Sequence, residues 1–259
     1  MSGPQIAVQS NAESLAASVA ARLTTRLVDI QATGRVPSVV LTGGRIGIAV
    51  LRLVQEAPAR DAVDWQRVEF WWGDERYVPV GDPERNDAQA REALLDRVAV
   101  DPDRVHSFPA SDGLFGDDVD AAADAYAAEL ATHARPEDHG PVPRFDVLLL
   151  GIGPEGHTAS IFPESPAAYE ERSVVAVRNC PKPPPTRLTL TFPALCAAQE
   201  VWLVVAGEDK AGAVAMALGG AGRVQIPAAG ARGRSRTLWL LDRTAASKLS
   251  PELLRLPVS

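Results

Sequence analysis

Leu15, Val19, Leu23 and Leu27 recur every four residues with alanines beside them, a spacing that predicts a helix with one apolar face. Asn11 is its expected N-cap, Glu13 lies in the first turn, and Gly34 is expected to end it. Before it, Gln5 to Val8 reads as a short edge strand. Val36 to Leu41 is β-branched and apolar, hence a strand, and Ile46, Ala49, Val50, Leu53 and Val54 then return to helical spacing. Val68 to Trp72 predicts another buried strand. Asn86 opens a helix with Leu94, Leu95 and Val98 on its apolar side. A turn-rich stretch from Asp101 to Gly116 holds a brief expected strand at Val105 to Phe108. Asp117 or Asp118 then opens an alanine-rich helix through Val119, Tyr126 and Leu130.

In the second half, Asp146 to Leu150 is a continuous apolar run closed by Gly151 and Gly153, as in a strand buried on both faces. Val174 to Val177 is the next strand. Pro181-Lys182-Pro183-Pro184-Pro185 follows as a stiff connector. Arg187 to Thr191 alternates like a half-buried strand, and Glu200 to Ala206, apolar after its first residue, reads as another buried strand. Gly207 to Lys210 leads into a helix carrying Val214 and Leu218. Thr237 to Leu241 is the last strand, with Asp242 expected to cap a short final helix. Strands alternating with helices predict an α/β fold. The expectation is a single doubly wound, mostly parallel Rossmann-like sheet of six or seven strands, with helices on both faces, in one domain over residues 1–259.

Composition narrows the partners. The chain has 259 residues, enough for a sizeable core, and 46% of them are apolar. A net charge of −7 argues against a nucleic-acid or anionic-membrane surface, while leaving room for a local positive pocket. Cys180 and Cys196 form no disulfide framework and match no zinc spacing, which suits a reducing, cytoplasmic compartment. No signal peptide is expected at the polar start, and no apolar run approaches the roughly 20 residues of a membrane span.

The chemistry-bearing residues cluster at strand ends, where open α/β sheets bind ligands. Thr42-Gly43-Gly44 lies between a strand and a helix, where glycines admit a ligand to free backbone N–H groups. Asp74-Glu75-Arg76 puts three charges at a strand end. Arg76 is a candidate for a phosphate, with Asp74 or Glu75 to hold it, and a solvated turn is the plain alternative. Lys210 sits in the first turn of a helix, unfavourable against the dipole and so a candidate anion contact. Gly151-x-Gly153-x-x-Gly156-His157 leaves three readings open. It fits a dinucleotide fingerprint, though Pro163 and Pro166 leave little room for the long helix that motif needs. It fits a glycine turn with a surface histidine. It also fits a catalytic loop, with His157 as general base or acid and Glu155 as its neighbour. His133 and His139 read as surface histidines.

Taken together, Leu41-Thr42-Gly43-Gly44, Trp72-Gly73-Asp74-Glu75-Arg76, Asn86, Gly151 to Pro163 (GIGPEGHTASIFP), Arg187 to Thr191 and Gly207 to Lys210 resemble the 6-phosphogluconolactonase family, within the group that includes glucosamine-6-phosphate isomerases. The resemblance covers nearly the whole chain. It implies hydrolysis of 6-phospho-D-glucono-1,5-lactone to 6-phosphogluconate, without a metal or organic cofactor, by a monomer or homodimer. It implies that His157 activates water beside Glu155. It further implies that Arg76, Lys210 and the Thr42, Gly43 and Gly44 backbone hold the sugar phosphate, with Asp74 and Arg187 as further contacts. The family usually carries Asp where this chain has Glu155, and a small or polar residue where it has Arg45. The runner-up reaction in the group is aminosugar-phosphate isomerisation with deamination, which needs a carboxylate such as Asp74 or Glu75 to move a proton between C1 and C2. A phosphosugar sensor without catalysis is the reading from another class. It fits less well, since only one helix precedes Thr42 and no basic patch is present.

Overall fold

The computed structural model describes residues 3–253. Six strands form one sheet in the order β1-β9-β8-β5-β2-β3, every neighbouring pair parallel. They are β1 (Gln5–Gln9), β2 (Ser38–Leu41), β3 (Glu69–Trp72), β5 (Val147–Leu150), β8 (Glu200–Val205) and β9 (Arg236–Asp242). The apolar runs of β5 and β8 are buried along their whole length, as strands covered on both faces must be. The parallel sheet predicted from the alternation of elements is present. Two of the expected strand segments leave it, however, and join a third strand formed where a charged turn was expected. Asp74–Arg76 (β4), Val174–Val177 (β6) and Arg187–Leu190 (β7) make a separate antiparallel sheet in the order β4-β7-β6.

Helices cover both faces. The first helix, α1 (Ala12–Ala32), buries Leu15, Val19, Leu23 and Leu27, and Asn11 caps it by accepting the Ser14 N–H at 2.8 Å. It packs on α2 (Gly44–Glu56), and the two lie over the face to which Val204 and Asp242 point. Thr237 and Trp239, at odd positions of β9, face the other way onto α6 (Ala211–Leu218). Between these, α3 (Asn86–Ala93) packs on α2, α4 (Val119–His133) packs on β6 and β7, and α5 (Phe192–Leu195) is a single turn after β7.

Several expectations change in detail. Asp74-Glu75-Arg76 is a short strand, because Gly73 carries the chain from one sheet to the other: its N–H bonds Leu41 of β2 and its carbonyl accepts from Leu190 of β7. Val105 to Phe108 makes only one bridge, Phe70 with Val105, before turning away. β7 is buried at all four positions: Arg187 faces a cavity instead of solvent, and the Thr189 hydroxyl accepts the Ser160 N–H. Asp242 accepts the Ala245 N–H at 2.7 Å, but residues 243–248 after it are turns in place of the expected helix. His139 is exposed as expected. His133, also exposed, lies edge-on to Trp71 at 5.2 Å.

The strand order locates the crevice. From β2 the chain moves outward to β3, then crosses to β5 on the other side of β2. The order therefore reverses between β2 and β5, and ligands of such sheets bind outside the carboxyl ends of those strands. Thr42-Gly43-Gly44 follows β2, and Gly151-Ile152-Gly153 follows β5.

Candidate active site

At that reversal lies a cavity of about 140 Å³ lined by Thr42, Gly43, Gly44, Asp74, Arg76, Asn86, Gly151, Ile152, His157, Ala159 and Arg187. Of the nine residues singled out from the sequence, seven line it. Glu155 stands behind His157, and Lys210 lines a second cavity of about 680 Å³ that shares Gly43, Gly44, Gly151 and Ile152 with the first.

Gly44 begins α2 with φ +82°, a left-handed conformation that suits glycine. No side chain caps this helix, and its first turn holds no acidic residue. Its leading N–H groups are therefore offered to the crevice with the positive end of the helix dipole. Gly43 is needed for a different reason. A Cβ there would sit 1.9 Å from Asn86 Oδ1, so the absence of a side chain makes room for Asn86.

Asn86 is buried, and its side chain joins Asp74 and Arg76 of β4. Its Nδ2 donates to the Asp74 carbonyl at 2.8 Å and to Asp74 Oδ1 at 3.3 Å. Its Oδ1 accepts from Arg76 Nη1 at 2.7 Å. From the sequence Asn86 opens a helix and belongs to the set that carries the family resemblance, with no role of its own assigned. Its own N–H instead donates to Glu75 Oε1, and Arg85 occupies the cap position. Glu75 does not hold the Arg76 guanidinium. Its fully buried carboxylate accepts the backbone N–H groups of Arg76, Asn86 and Asp87 at 2.7–2.9 Å, facing the start of α3. Burial pushes the Glu75 carboxyl up, to about 7, against the pull of Arg85 and the Asn86 and Asp87 amides.

Arg76 and Arg187 occupy paired positions on β4 and β7. Like charges directly across an antiparallel pair are unfavourable unless an anion joins them. Arg187, almost completely buried, donates Nε to the Pro184 carbonyl and Nη2 to those of Lys182 and Pro183, at 3.1–3.2 Å. Arg76 Nη1 also donates to the Glu84 carbonyl at 2.5 Å, while its Nε is buried with no partner among the described residues. A buried donor left unpaired in a cation-lined cavity suits an anionic ligand.

His157 is set by its loop. Nδ1 lies 2.9 Å from Glu155 Oε1, which orients the ring, and Phe162 stacks on it at 4.6 Å. Gly153 leaves the space they occupy, since a Cβ there would lie 2.0 Å from His157 Nδ1 and 2.5 Å from Glu155 Oε2. Burial alone would raise Glu155. The hydrogen bond from His157, its own amide, the imidazole charge and Lys182 outweigh it and hold the carboxyl at about 2. Ala159 takes φ +48° beside the cavity, a strained conformation for a residue with a Cβ. Ser160 is buried, and its hydroxyl donates to Asp74 Oδ2 at 2.7 Å, which ties the loop to β4 and takes up that oxygen. Lys210 Nζ pairs with both oxygens of Asp209 at 2.9–3.0 Å, at the mouth of the second cavity.

A histidine-bearing loop, paired arginines and an uncapped helix start at the switch point of a parallel sheet define an α/β protein with a site suited to a small anionic ligand. The chain belongs to the glucosamine-6-phosphate isomerase/6-phosphogluconolactonase family, whose model matches residues 10–239. It is 60% identical over 257 residues to a 6-phosphogluconolactonase of Streptomyces coelicolor, covering 99% of this chain and 98% of that protein. It is 58% identical over 212 residues to a 6-phosphogluconolactonase of Mycobacterium tuberculosis, covering 82% and 84% of the two chains. In three dimensions it is similar to the 6-phosphogluconolactonase of Trypanosoma brucei, with a TM-score of 0.81 and 28% identity over 96% of this chain and 99% of that one.

Proposed function

We propose that the protein is a lactonase that hydrolyses 6-phospho-D-glucono-1,5-lactone to 6-phosphogluconate, with His157 as the general base and no metal. The observation that carries this reading is the setting of His157: its Nδ1 faces Glu155 and its ring lines the cavity beside Arg76 and Arg187. The relatives' shared name supports the substrate.

Glu155 accepts the Nδ1 proton, so Nε2 is left with a lone pair to take a proton from water. The water adds to the lactone carbonyl, which is electrophilic enough without a Lewis acid. The ring C–O bond of the tetrahedral intermediate then breaks, and the imidazolium returns its proton to the departing ring oxygen. Backbone N–H groups at Gly43 and Gly44, with Arg76, Arg187 and Lys210, bind the phosphate and orient the ring. That binding energy holds the carbonyl against the water. Lys210 exchanges Asp209 for the ligand's phosphate in this scheme.

Isomerisation with deamination has less support. Glu75 is buried against the α3 amides, and Asp74 has its carboxylate engaged by Asn86 and Ser160. The test is to generate the lactone in place with glucose-6-phosphate dehydrogenase and follow its loss against the spontaneous rate. Acceleration by the protein is expected. No acceleration by folded protein, with ammonia released from glucosamine 6-phosphate, would replace this reading with the isomerase one.

A further inference from the structure

We propose that Lys182 is a positioning residue for this reaction: it holds the second oxygen of Glu155 and so limits how strongly that carboxylate keeps a proton on His157. The proposal rests on the reading of His157 as the base. Lys182 Nζ lies 3.1 Å from Glu155 Oε2, while Oε1 of the same carboxylate lies 2.9 Å from His157 Nδ1. The carboxylate therefore bridges an ammonium and an imidazole, one on each oxygen.

Lys182 belongs to the bend of four prolines at residues 181–185, which lies outside any helix or strand and reads in the sequence as a stiff connector. Its side chain reaches the base's carboxylate, and its backbone carbonyl accepts from Arg187 Nη2 at 3.1 Å. Pro183 and Pro184 supply the other two carbonyls that grip Arg187. With φ fixed at four positions, the bend presents these acceptors without having to be ordered first. One residue thus links the imidazole, through Glu155, to the arginine that faces Arg76.

The direction of the effect follows from the charges around His157. Its own loop supplies Glu155, β4 supplies Asp74 and Arg76, β7 supplies Arg187, and the proline bend supplies Lys182. Phe162 stacks on the ring and carries no charge. If Lys182 loses its charge, the Glu155 carboxylate is balanced by His157 alone, which favours imidazolium. An ammonium that repels imidazolium is lost as well. Both changes keep the base protonated to higher pH, so the acidic limb of the kcat/KM profile moves up while the plateau above it stays. A residue that merely braced the loop would instead lower the rate by one factor at every pH.

Two full-length variants, Lys182→Met and Lys182→Arg, test this by two readouts: kcat/KM against pH for the lactone, and NMR titration of the histidine imidazoles, with His157→Ala to assign the His157 signal. Charge pairs at this separation shift titrations by about 1–3 pH units when shielded. Lys182 is 42% exposed, so we expect an upward shift of about 0.5–1 unit in Lys182→Met, hence about three- to tenfold lower kcat/KM below the limb. Lys182→Arg should stay within about twofold of the parent at every pH, because the charge is retained. An unmoved His157 titration in folded Lys182→Met, or a loss uniform across pH, would overturn the proposal. The NMR arm separates this from the reaction itself. A shifted titration in a protein that hydrolyses no lactone would leave the positioning intact and sink the lactonase reading.

Discussion

Arg76 and Arg187 face each other across the β4–β7 pair, in register, with neither side chain in an ion pair among the described residues. The pairing is costly in an empty protein and favourable once a phosphate or carboxylate lies between the two. Arg76→Met should therefore raise KM and weaken binding of 6-phosphogluconate by about tenfold to a hundredfold, the range for losing a charge-assisted hydrogen bond. Thermal stability should stay level or rise, because the cross-strand repulsion is removed. Calorimetric titration and a melting curve check this. A marked stability loss with unchanged binding would make Arg76 a structural residue.

Gly43 and Asn86 are joined by a gap that a single methyl would fill. Gly43→Ala would place Cβ 1.9 Å from Asn86 Oδ1, so Asn86 must leave its position between Asp74 and Arg76. The expected outcome is a loss of kcat/KM of at least about a hundredfold, since small misplacements of binding groups are amplified in rate. The fold should persist, as shown by circular dichroism. Near-normal activity would mean that Asn86 does not orient Arg76 during turnover.

A second prediction about charge lies away from the site. His106 is buried, with Nδ1 2.7 Å from Glu129 and Nε2 2.8 Å from Glu69, and it stacks on Trp71 at 3.8 Å. Both nitrogens face carboxylates, which accept only, so the ring is held as imidazolium. Burial would lower its pKa, but hydrogen bonds and charge from Glu129 and Glu69 raise it overall. Burial would raise Glu69, but His106 and Arg104 lower it overall. For a histidine with a raised folded value, the contribution is full below the unfolded value near about 6.5 and is lost as pH rises through the folded value. For Glu69 it is full above about 4.5 and is lost as pH falls through the folded value. His106→Gln should therefore cost most near pH ~5–6, about 1–3 kcal/mol. The gap from the parent should narrow as pH rises through the folded value of His106. Urea unfolding across pH reads this directly, and a gap independent of pH would contradict it.

Metal independence predicts that dialysis against EDTA leaves lactone hydrolysis unchanged within experimental scatter. Activity that disappears and returns only with a divalent cation would remove that part of the mechanism.

The sequence carried the sheet well because β2, β5 and β8 are apolar runs with glycines at their ends, and burial on both faces leaves little else for such runs to do. The second sheet was harder to see. Gly73 diverts the chain into β4, and nothing local distinguishes a three-residue charged strand from a charged turn. At the site, Thr42 to Gly44, Arg76 and His157 converge as their places at strand ends suggested, Arg187 joins them as the family resemblance implied, and Lys210 lines the neighbouring cavity instead. The contacts of Asn86 and Lys182 were not legible for one reason. Each bonds partners far away in the chain, Asp74 and Arg76 for one and Glu155 for the other, so neither has a local signature. Glu75 misled because its charge suggested a partner for Arg76, whereas its length lets it reach back to the amides of α3.

The central claim is that His157 activates the water. The most direct measurement compares the protein with His157→Ala for lactone hydrolysis above the spontaneous rate and for 6-phosphogluconate affinity. The account predicts that kcat falls by at least about 10²–10⁴, the usual span of general-base catalysis, while affinity stays within a few-fold. A folded His157→Ala protein that hydrolyses the lactone as fast as the parent would contradict it.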